Sequence, residues 1–491
     1  MIRMRIRKEQ DAIGVKDVPA ESFGGIFSVR AKENFQISWR RFPVEFFTQL
    51  AHIKHANALV HVRSGRLAEK EGKAIIAAAK EVAKGKFANE FGLDVFQAGA
   101  GTPLNMTMNE VIANRALDMM GERKGKYARV HPNNHVNMGQ STNDVIPSTI
   151  RMTCVEFSIA LEHELMKTIS VLEKQSKQYA HLLKTGRTHL QAAVPITFGQ
   201  ELSAHAEAFK ESLSKIKSAR AGLMELPLGG TAIGTGITTE PGDDEKVVKE
   251  LRKITKRPYT VSQRKFFLTS HMSALGNYSH ALSELASEGI ILCNDLVLLG
   301  SDPLAGIGEI KLPEVEPGSS IMPGKINPSI VEAFKMVCLQ VQGHHETIRL
   351  GMESTQLELN VMTPILAADL FESQFILKNS LRMLRERCLK GLRPTPNMQR
   401  HLEQSLSFAT VLNPYLGYEV VAHYVKKGLK NGKGLEHLLV EENILTRAEI
   451  MRLLNPKLIT QPQRVDLRLR ESIQSRAAYR AILQELHHYA K

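Results

Sequence analysis

Between Pro147 and about Leu392 the chain carries helical periodicity in runs far longer than globular proteins usually hold, and this restricts the folds open to it. The runs are Ser148 to Leu183, Phe198 to Leu223, Ser270 to Leu299, Ser329 to Gly351 and Ile365 to Cys388. In the fourth, Ile330, Val331, Phe334, Val337, Cys338 and Val341 recur at helical spacing and share one face. Ordinary helices average about 11–12 residues, so helices this long bury their stripes only against equally long partners. A helical bundle is the expected architecture. Stripes as wide as that of Ile290 to Gly300, IILCNDLVLLG, predict burial on more than one side, hence oligomerisation. Strand signals are sparse, so the expected fold class is all-α.

The chain divides by pattern into three stretches. Residues 1–145 mix short helical patterns with loops such as Gly99-Ala100-Gly101-Thr102 and Pro132-Asn133-Asn134, as in a loop-rich N-terminal domain. Residues 146–396 hold the long helices of a central bundle domain, and 397–491 carry shorter helical patterns after Pro394-Thr395-Pro396, a small C-terminal helical domain. With 491 residues, 43% of them hydrophobic, the chain can bury a large core. Cys154, Cys293, Cys338 and Cys388 lie far apart with no CxxC pair, which predicts buried thiols in a reducing compartment rather than a disulfide framework or thiolate zinc site.

The N-terminal MIRMRIRKEQDAIG has no apolar h-region, and Asn294 and Asp295 interrupt the most apolar stretch, so neither an export signal nor a membrane span is expected. A cytoplasmic location follows as an expectation. The 64 Lys and Arg against 51 Asp and Glu give a formal charge of +13. These basic residues are scattered and no helix-turn-helix, RNP or zinc-finger pattern accompanies them, so the excess reads as a surface that attracts small anions, not nucleic acid.

Residues with chemical character gather in three loops that each abut a long helix. Gly318-Ser319-Ser320-Ile321-Met322-Pro323-Gly324-Lys325-Ile326-Asn327-Pro328 is a backbone-exposing loop, with Asn327 expected as N-cap and Pro328 at the first helical position. An anion there meets backbone N–H groups, a helix N-terminus and the Lys325 ammonium together. Gln140-Ser141-Thr142-Asn143-Asp144 and Gly186-Arg187-Thr188-His189-Leu190-Gln191 are weaker alone, since hydroxyl and amide groups at helix entrances usually cap and turn. Together the three loops offer what a pocket for a small dicarboxylate needs. The run Gly229 to Gly236, GGTAIGTG, lacks the strand-helix surroundings of a dinucleotide fingerprint and reads as a packed turn. His52 with His55, and His344 with His345, lack a third ligand at metal spacing, so neither metal nor other cofactor is expected.

GSSIMPGKINP resembles the signature of the fumarase/aspartase superfamily, in the form carried by class II fumarases and aspartases. The resemblance runs along nearly the whole chain, through KEQDAIGVKDVPAESFGGIFSVRAKENF, QAGAGTPLNMTMNEVIANRA, QSTND, GRTHLQ, LGGTAIGTG, QLELNVM and NPYLGY. Within the family, Ala100 in Gly99-Ala100-Gly101-Thr102, Thr142 in Ser141-Thr142-Asn143, and the Met352 to Met362 stretch resemble aspartases more than fumarases. The chain departs from the frequent family pattern at Ala192, where Asp is common, and at Leu304, where Arg is common.

The resemblance implies a homotetramer with a twenty-helix core, whose composite active sites each draw the three segments from three subunits. It implies elimination of ammonia from L-aspartate to give fumarate, with hydration of fumarate to L-malate as the alternative. Ser319 is then the general base. Thr102, Ser141, Thr142 and Ser320 hold the β-carboxylate, and Thr188, Lys325 and Asn327 the α-carboxylate. His189 and Asn143 meet the amine, and Glu332 orients His189.

Overall fold

The computed structural model describes residues 5–489. Two short strands, β1 (Ile6–Asp11) and β2 (Gly14–Pro19), form an antiparallel hairpin and lead into α1 (Ile26–Asn34). Helices α2 (Val44–Arg63), α3 (Glu69–Ala83) and α4 (Thr102–Met119) follow, α2 packing on α3 and α3 on α4. The first long helix, α5, spans Thr142–Gln178. A second hairpin, β3 (Leu183–Thr188) with β4 (Gln191–Thr197), precedes α6 (Phe198–Ala221). Next come α7 (Asp243–Thr255), packed on α2, and the short α8 (Lys265–Ser270). The remaining long helices are α9 (Ser273–Leu299), α10 (Ser329–Glu353) and α11 (Thr363–Arg387). Shorter helices complete the chain: α12 (Pro396–Gln404), α13 (Ala409–Leu416), α14 (Tyr418–Asn431), α15 (Leu435–Glu441), α16 (Arg447–Leu453), α17 (Pro456–Ile459), α18 (Leu467–Gln474) and α19 (Ala477–Tyr489).

The expected all-α class holds, with differences at helix ends. The run read from Ser148 begins six residues earlier, at Thr142, so Pro147 lies inside α5. Placed in the second turn, Pro147 withholds only the N–H that would close on the Asn143 carbonyl, a loss a helix start tolerates. The same run stops at Gln178, and the β3–β4 hairpin takes over. Its turn residues, His189 and Leu190, carry none of the Asn-Gly chemistry that signals a hairpin in sequence. Among the described residues no helix is long and apolar enough to cross a membrane.

The chain splits into two compact units. One comprises Met1–Glu164, Ser212–Ser287 and Val337–Asn379; the other comprises Leu165–Glu211, Glu288–Met336 and Ser380–Lys491. Each of α5, α6, α9, α10 and α11 contributes residues to both. In the first unit Phe371 anchors an aromatic cluster, its ring 5.9 Å from Phe46 and 5.8 Å from Phe157. In the second, Leu412, Leu416, Val420, Tyr424, Leu439 and Ile473 lie in a buried cluster formed by the C-terminal helices.

That cluster is tied by a charged helix cap. Thr446 and Glu449 form a capping box at the start of α16, and Arg476 reaches both Glu449 oxygens at 2.9 and 2.5 Å. The Arg476 hydrogen bonds hold the Glu449 carboxyl down at about 2. A depressed acid stabilises the fold at pH values above its unfolded pKa, and this contribution disappears as pH falls through the folded one. Glu449→Gln therefore lowers stability at pH 7 by about 1–2 kcal/mol. In urea titrations the gap from wild type should shrink as pH drops from about 4.5 towards 2; equal midpoints at pH 7 would refute the assignment.

Candidate active site

Ser141 is the N-cap of α5. Its Oγ accepts from the Asn143 N–H at 3.2 Å and its carbonyl from the Val145 N–H at 3.0 Å. Asp144, three residues on, returns the bond by accepting from the Ser141 N–H at 3.0 Å. Its second oxygen accepts from the N–H groups of Gly229 at 3.1 Å and Thr231 at 3.0 Å. Burial pushes the Asp144 carboxyl up to about 6, against the pull of these backbone donors and of the Lys54 charge. A Cβ on Gly229 would sit 2.5 Å from that of Asp244, in the first turn of α7, so the backbone can come this close only at glycine. The GGTAIGTG run is thus a packed turn, and it clamps the start of α5. It also fixes Asn143, whose Nδ2 donates to the Ala232 carbonyl at 2.8 Å.

Thr102 opens α4 beyond a left-handed step at Ala100 (φ 59) and Gly101 (φ 78). The Ala100 N–H donates to the Val361 carbonyl at 3.0 Å, and a Cβ on Gly99 would lie 2.7 Å from that of Val361. The two blocks that resemble aspartases, around Ala100 and within Met352 to Met362, are therefore in direct contact. One turn into α4, Asn105 Nδ2 donates to Thr142 Oγ1 at 3.1 Å, linking the Thr102 and Thr142 segments.

In the second unit, Thr188 and His189 stand exposed at the tip of the β3–β4 hairpin. The two-residue turn puts His189 (φ 54) and Leu190 (φ 59) in the left-handed region, where glycine and asparagine are the usual residues. The root of the hairpin is fixed by Glu309, a fully buried carboxylate that binds Arg187 and accepts from His401 Nδ1 at 3.1 Å, with Lys184 Nζ 3.4 Å away. Burial raises the Glu309 carboxyl, but the Arg187 hydrogen bond and the Lys184 charge outweigh it and hold it below the usual carboxylate range.

The Gly318 to Pro328 loop is closed on itself. Gly318 N–H donates to the Lys325 carbonyl at 3.0 Å, and Asn327 Nδ2 donates to the Gly318 carbonyl at 2.8 Å. Ser319 Oγ accepts from the N–H groups of Ile321 at 3.2 Å and Met322 at 3.3 Å. Two backbone donors on one hydroxyl oxygen favour negative charge on that oxygen. Ser320 and Lys325 are exposed on the same loop. The expected cap is shifted by one residue: Pro328 carries the capping carbonyl, which accepts from the Glu332 N–H at 3.0 Å, while the Asn327 side chain serves the loop.

Ser141, Thr142 and Asn143 thus share one helix start that Asn105 joins to α4, while Thr188 and His189 occupy a hairpin tip and Ser319 to Asn327 a closed loop. Glu332 is exposed on the first turn of α10, and among the described residues no hydrogen bond joins it to His189 within one chain. His344, read as lacking further ligands, meets Asp369 and Glu372, all three presenting ligand atoms within 4.8 Å of one another. Arg40 already lies on both carboxylates, at 2.6 and 2.8 Å, so a cation occupies that position. At the positions that depart from the family pattern, Ala192 pairs with Arg187 in the hairpin and Leu304 is exposed in a turn closed by Asp302.

Sequence reasoning missed Lys54, Asn105, Asp144 and Glu309. The one available signal was Lys54, a charge within the otherwise apolar face of AHIKHANALV.

The family described as Lyase matches residues 14–343, and that described as Fumarase C C-terminus matches 408–461. Aspartate ammonia-lyase of Bacillus subtilis (strain 168) is 39% identical over 93% of this chain and 96% of that protein. Class II fumarate hydratase of Myxococcus xanthus (strain DK1622) is 38% identical over 94% of this chain and 99% of that protein. The crystal structure of a class II fumarase from Schistosoma mansoni superposes with a TM-score of 0.89 at 34% identity, over 94% of this chain and 100% of that one. The fold and the family match define a lyase. The chain belongs to the fumarase/aspartase superfamily.

Two substitutions test the frame of the site. A Cβ at Gly318 would sit 2.2 Å from the Lys325 carbonyl, so Gly318→Ala should open the loop, lowering kcat/KM about 100-fold with little change in Tm. Glu309→Gln leaves Arg187 and Lys184 without their shared anion and should cost about 3 kcal/mol, read by chemical denaturation. Wild-type turnover in the first or wild-type stability in the second would contradict the role given to each residue.

Proposed function

We propose that this chain is an aspartate ammonia-lyase, eliminating ammonia from L-aspartate to give fumarate. Relatives of both kinds, aspartate ammonia-lyases and class II fumarate hydratases, match at nearly equal identity, so the choice rests on the site. The observation that carries it is the fixed amide of Asn143. One of its two Nδ2 hydrogens goes to the Ala232 carbonyl, which fixes the orientation of the amide and presents Oδ1 as an acceptor for a ligand. An acceptor in that place suits an ammonium, which donates only, better than a hydroxyl, which does both. Ala100 adds to this, since it puts no hydroxyl beside Thr102.

In the proposed reaction Thr102, Ser141, Thr142 and Ser320 bind the β-carboxylate, and Thr188, Lys325 and Asn327 the α-carboxylate. Ser319, as alkoxide, takes the proton from the carbon beside the β-carboxylate. The Ile321 and Met322 N–H groups support that charge. The electron pair enters the carboxylate to form a dianionic enediolate, then returns to form the carbon–carbon double bond as the C–N bond breaks. Ammonia leaves with the bonding pair, and His189 and Asn143 face it. Each preorganised donor on such an oxyanion contributes about 3–4 kcal/mol.

We further propose a homotetramer in which three subunits complete each site. Supporting this, Ile291, Met336, Leu339, Leu350 and Phe375 leave about half or more of their apolar surface exposed along α9, α10 and α11.

The test follows fumarate by ultraviolet absorbance, with L-aspartate and L-malate supplied separately. Turnover of aspartate alone, lost in Ser319→Ala, is the expected result. Turnover of malate alone would make the chain a fumarate hydratase.

A further inference from the structure

Lys54 lies in the middle of α2, fully buried, and among the described residues it forms no ion pair. Its Nζ donates instead to three amide oxygens: Asn105 Oδ1 at 2.8 Å, Asn137 Oδ1 at 2.9 Å and Gln140 Oε1 at 3.0 Å. Burying an ammonium among neutral partners is costly, and an apolar side chain of the same length would serve packing better. Stability alone therefore gives no reason for a lysine here.

Its chemistry supplies one. An ammonium donates and never accepts, so each of the three amides must turn its oxygen towards Lys54 and its NH2 away. The NH2 groups then have set targets. Gln140 Nε2 donates to the Val136 carbonyl at 3.1 Å, and Asn137 Nδ2 to the Gln140 carbonyl at 3.1 Å. Asn105 Nδ2 donates to Thr142 Oγ1 at 3.1 Å. Because the Thr142 oxygen accepts from Asn105, its own hydrogen is left to donate elsewhere. A hydroxyl that accepts one hydrogen bond donates the next more strongly.

We propose that Lys54 is a positioning residue which, through Asn105, holds Thr142 as a hydrogen-bond donor to the carboxylate of a dicarboxylate ligand. The proposal rests on the placement of Thr142 in the substrate site argued above. Burial lowers the Lys54 ammonium to about 7, against the opposing pull of the Asp144 charge, itself held by the N–H groups of Ser141, Gly229 and Thr231.

Asn105→Asp separates positioning from support. Its carboxylate still accepts from Lys54, and gains a charge opposite the ammonium, but offers Thr142 no donor. The Thr142 hydrogen then turns inward to the carboxylate and is lost to the ligand. Binding of succinate, a non-reacting dicarboxylate, is measured by calorimetry on wild type, Asn105→Asp, Thr142→Val and the double variant, with KM and kcat for L-aspartate and urea stability alongside. Asn105→Asp should raise the succinate Kd and the KM about tenfold while keeping stability at or above wild type. The double variant should bind no more weakly than Thr142→Val alone, because both changes remove one donor. Additive losses in the double variant, or Asn105→Asp binding within about twofold of wild type, would overturn the proposal. So would a wild type that does not bind succinate. Wild-type succinate binding without turnover of aspartate or malate would discard the reaction assigned above, while the calorimetric cycle still decides whether the link from Lys54 through Asn105 holds Thr142 as a donor.

Discussion

A helix has to satisfy its first N–H groups, and in this chain that requirement places the chemistry. The long helices bury apolar stripes along their length, so polar side chains collect where the helices begin and the backbone still has donors to offer. Ser141, Thr142 and Asn143 start α5, Thr102 starts α4, and Pro328 at the end of the Ser319 loop starts α10. A ligand with two carboxylates finds at such ends both oriented N–H groups and the positive pole of the helix. The same groups that cap these helices are those proposed to engage a substrate.

Keeping these ends in place falls to buried charges that never reach the surface. Asp144 draws the start of α5 onto the glycine turn at Gly229, and Glu309 draws the root of the β3–β4 hairpin towards His401. Both carboxylates are fully or nearly fully buried, but their outcomes differ. Asp144 is surrounded chiefly by backbone donors and its carboxyl rises to about 6, whereas Glu309 has Arg187 and Lys184 beside it and is held low. At Asp144 the backbone donors soften the cost of burying an anion; at Glu309 the opposite charges beside it reverse that cost.

How much of this was legible follows from range. Helical periodicity repeats along the chain, so the long helices and the all-α class could be read from residue types alone, and the loops holding Ser319, Ser141 and Thr188 stood out by composition. The supporting residues could not be read that way. Asp144 and Gly229 are far apart in sequence and meet only in the fold, as do Lys54 and Asn137. The hairpin was missed for a local reason: His189 and Leu190 adopt a turn that sequence rules reserve for glycine and asparagine. At Asn327 the misreading was of role, since an asparagine before a proline and a helix resembles a cap, while its amide in fact closes the loop onto Gly318.

The hairpin misreading has a physical cause. Left-handed backbone at a residue with a side chain persists only where the surroundings over-determine it, and each instance costs about 1 kcal/mol or more. Ala100 is held by the Val361 carbonyl, and His189 and Leu190 by a hairpin whose root is pinned at Glu309. In both places the strained residue lies within two positions of a threonine proposed for the site, Thr102 or Thr188. A relaxed turn would aim those hydroxyls elsewhere, so the strain and its supports form one device: buried contacts supply the free energy, and the exposed tip keeps a geometry it would not choose alone. Local sequence rules describe what a segment prefers, and they fail where the fold makes a segment do otherwise.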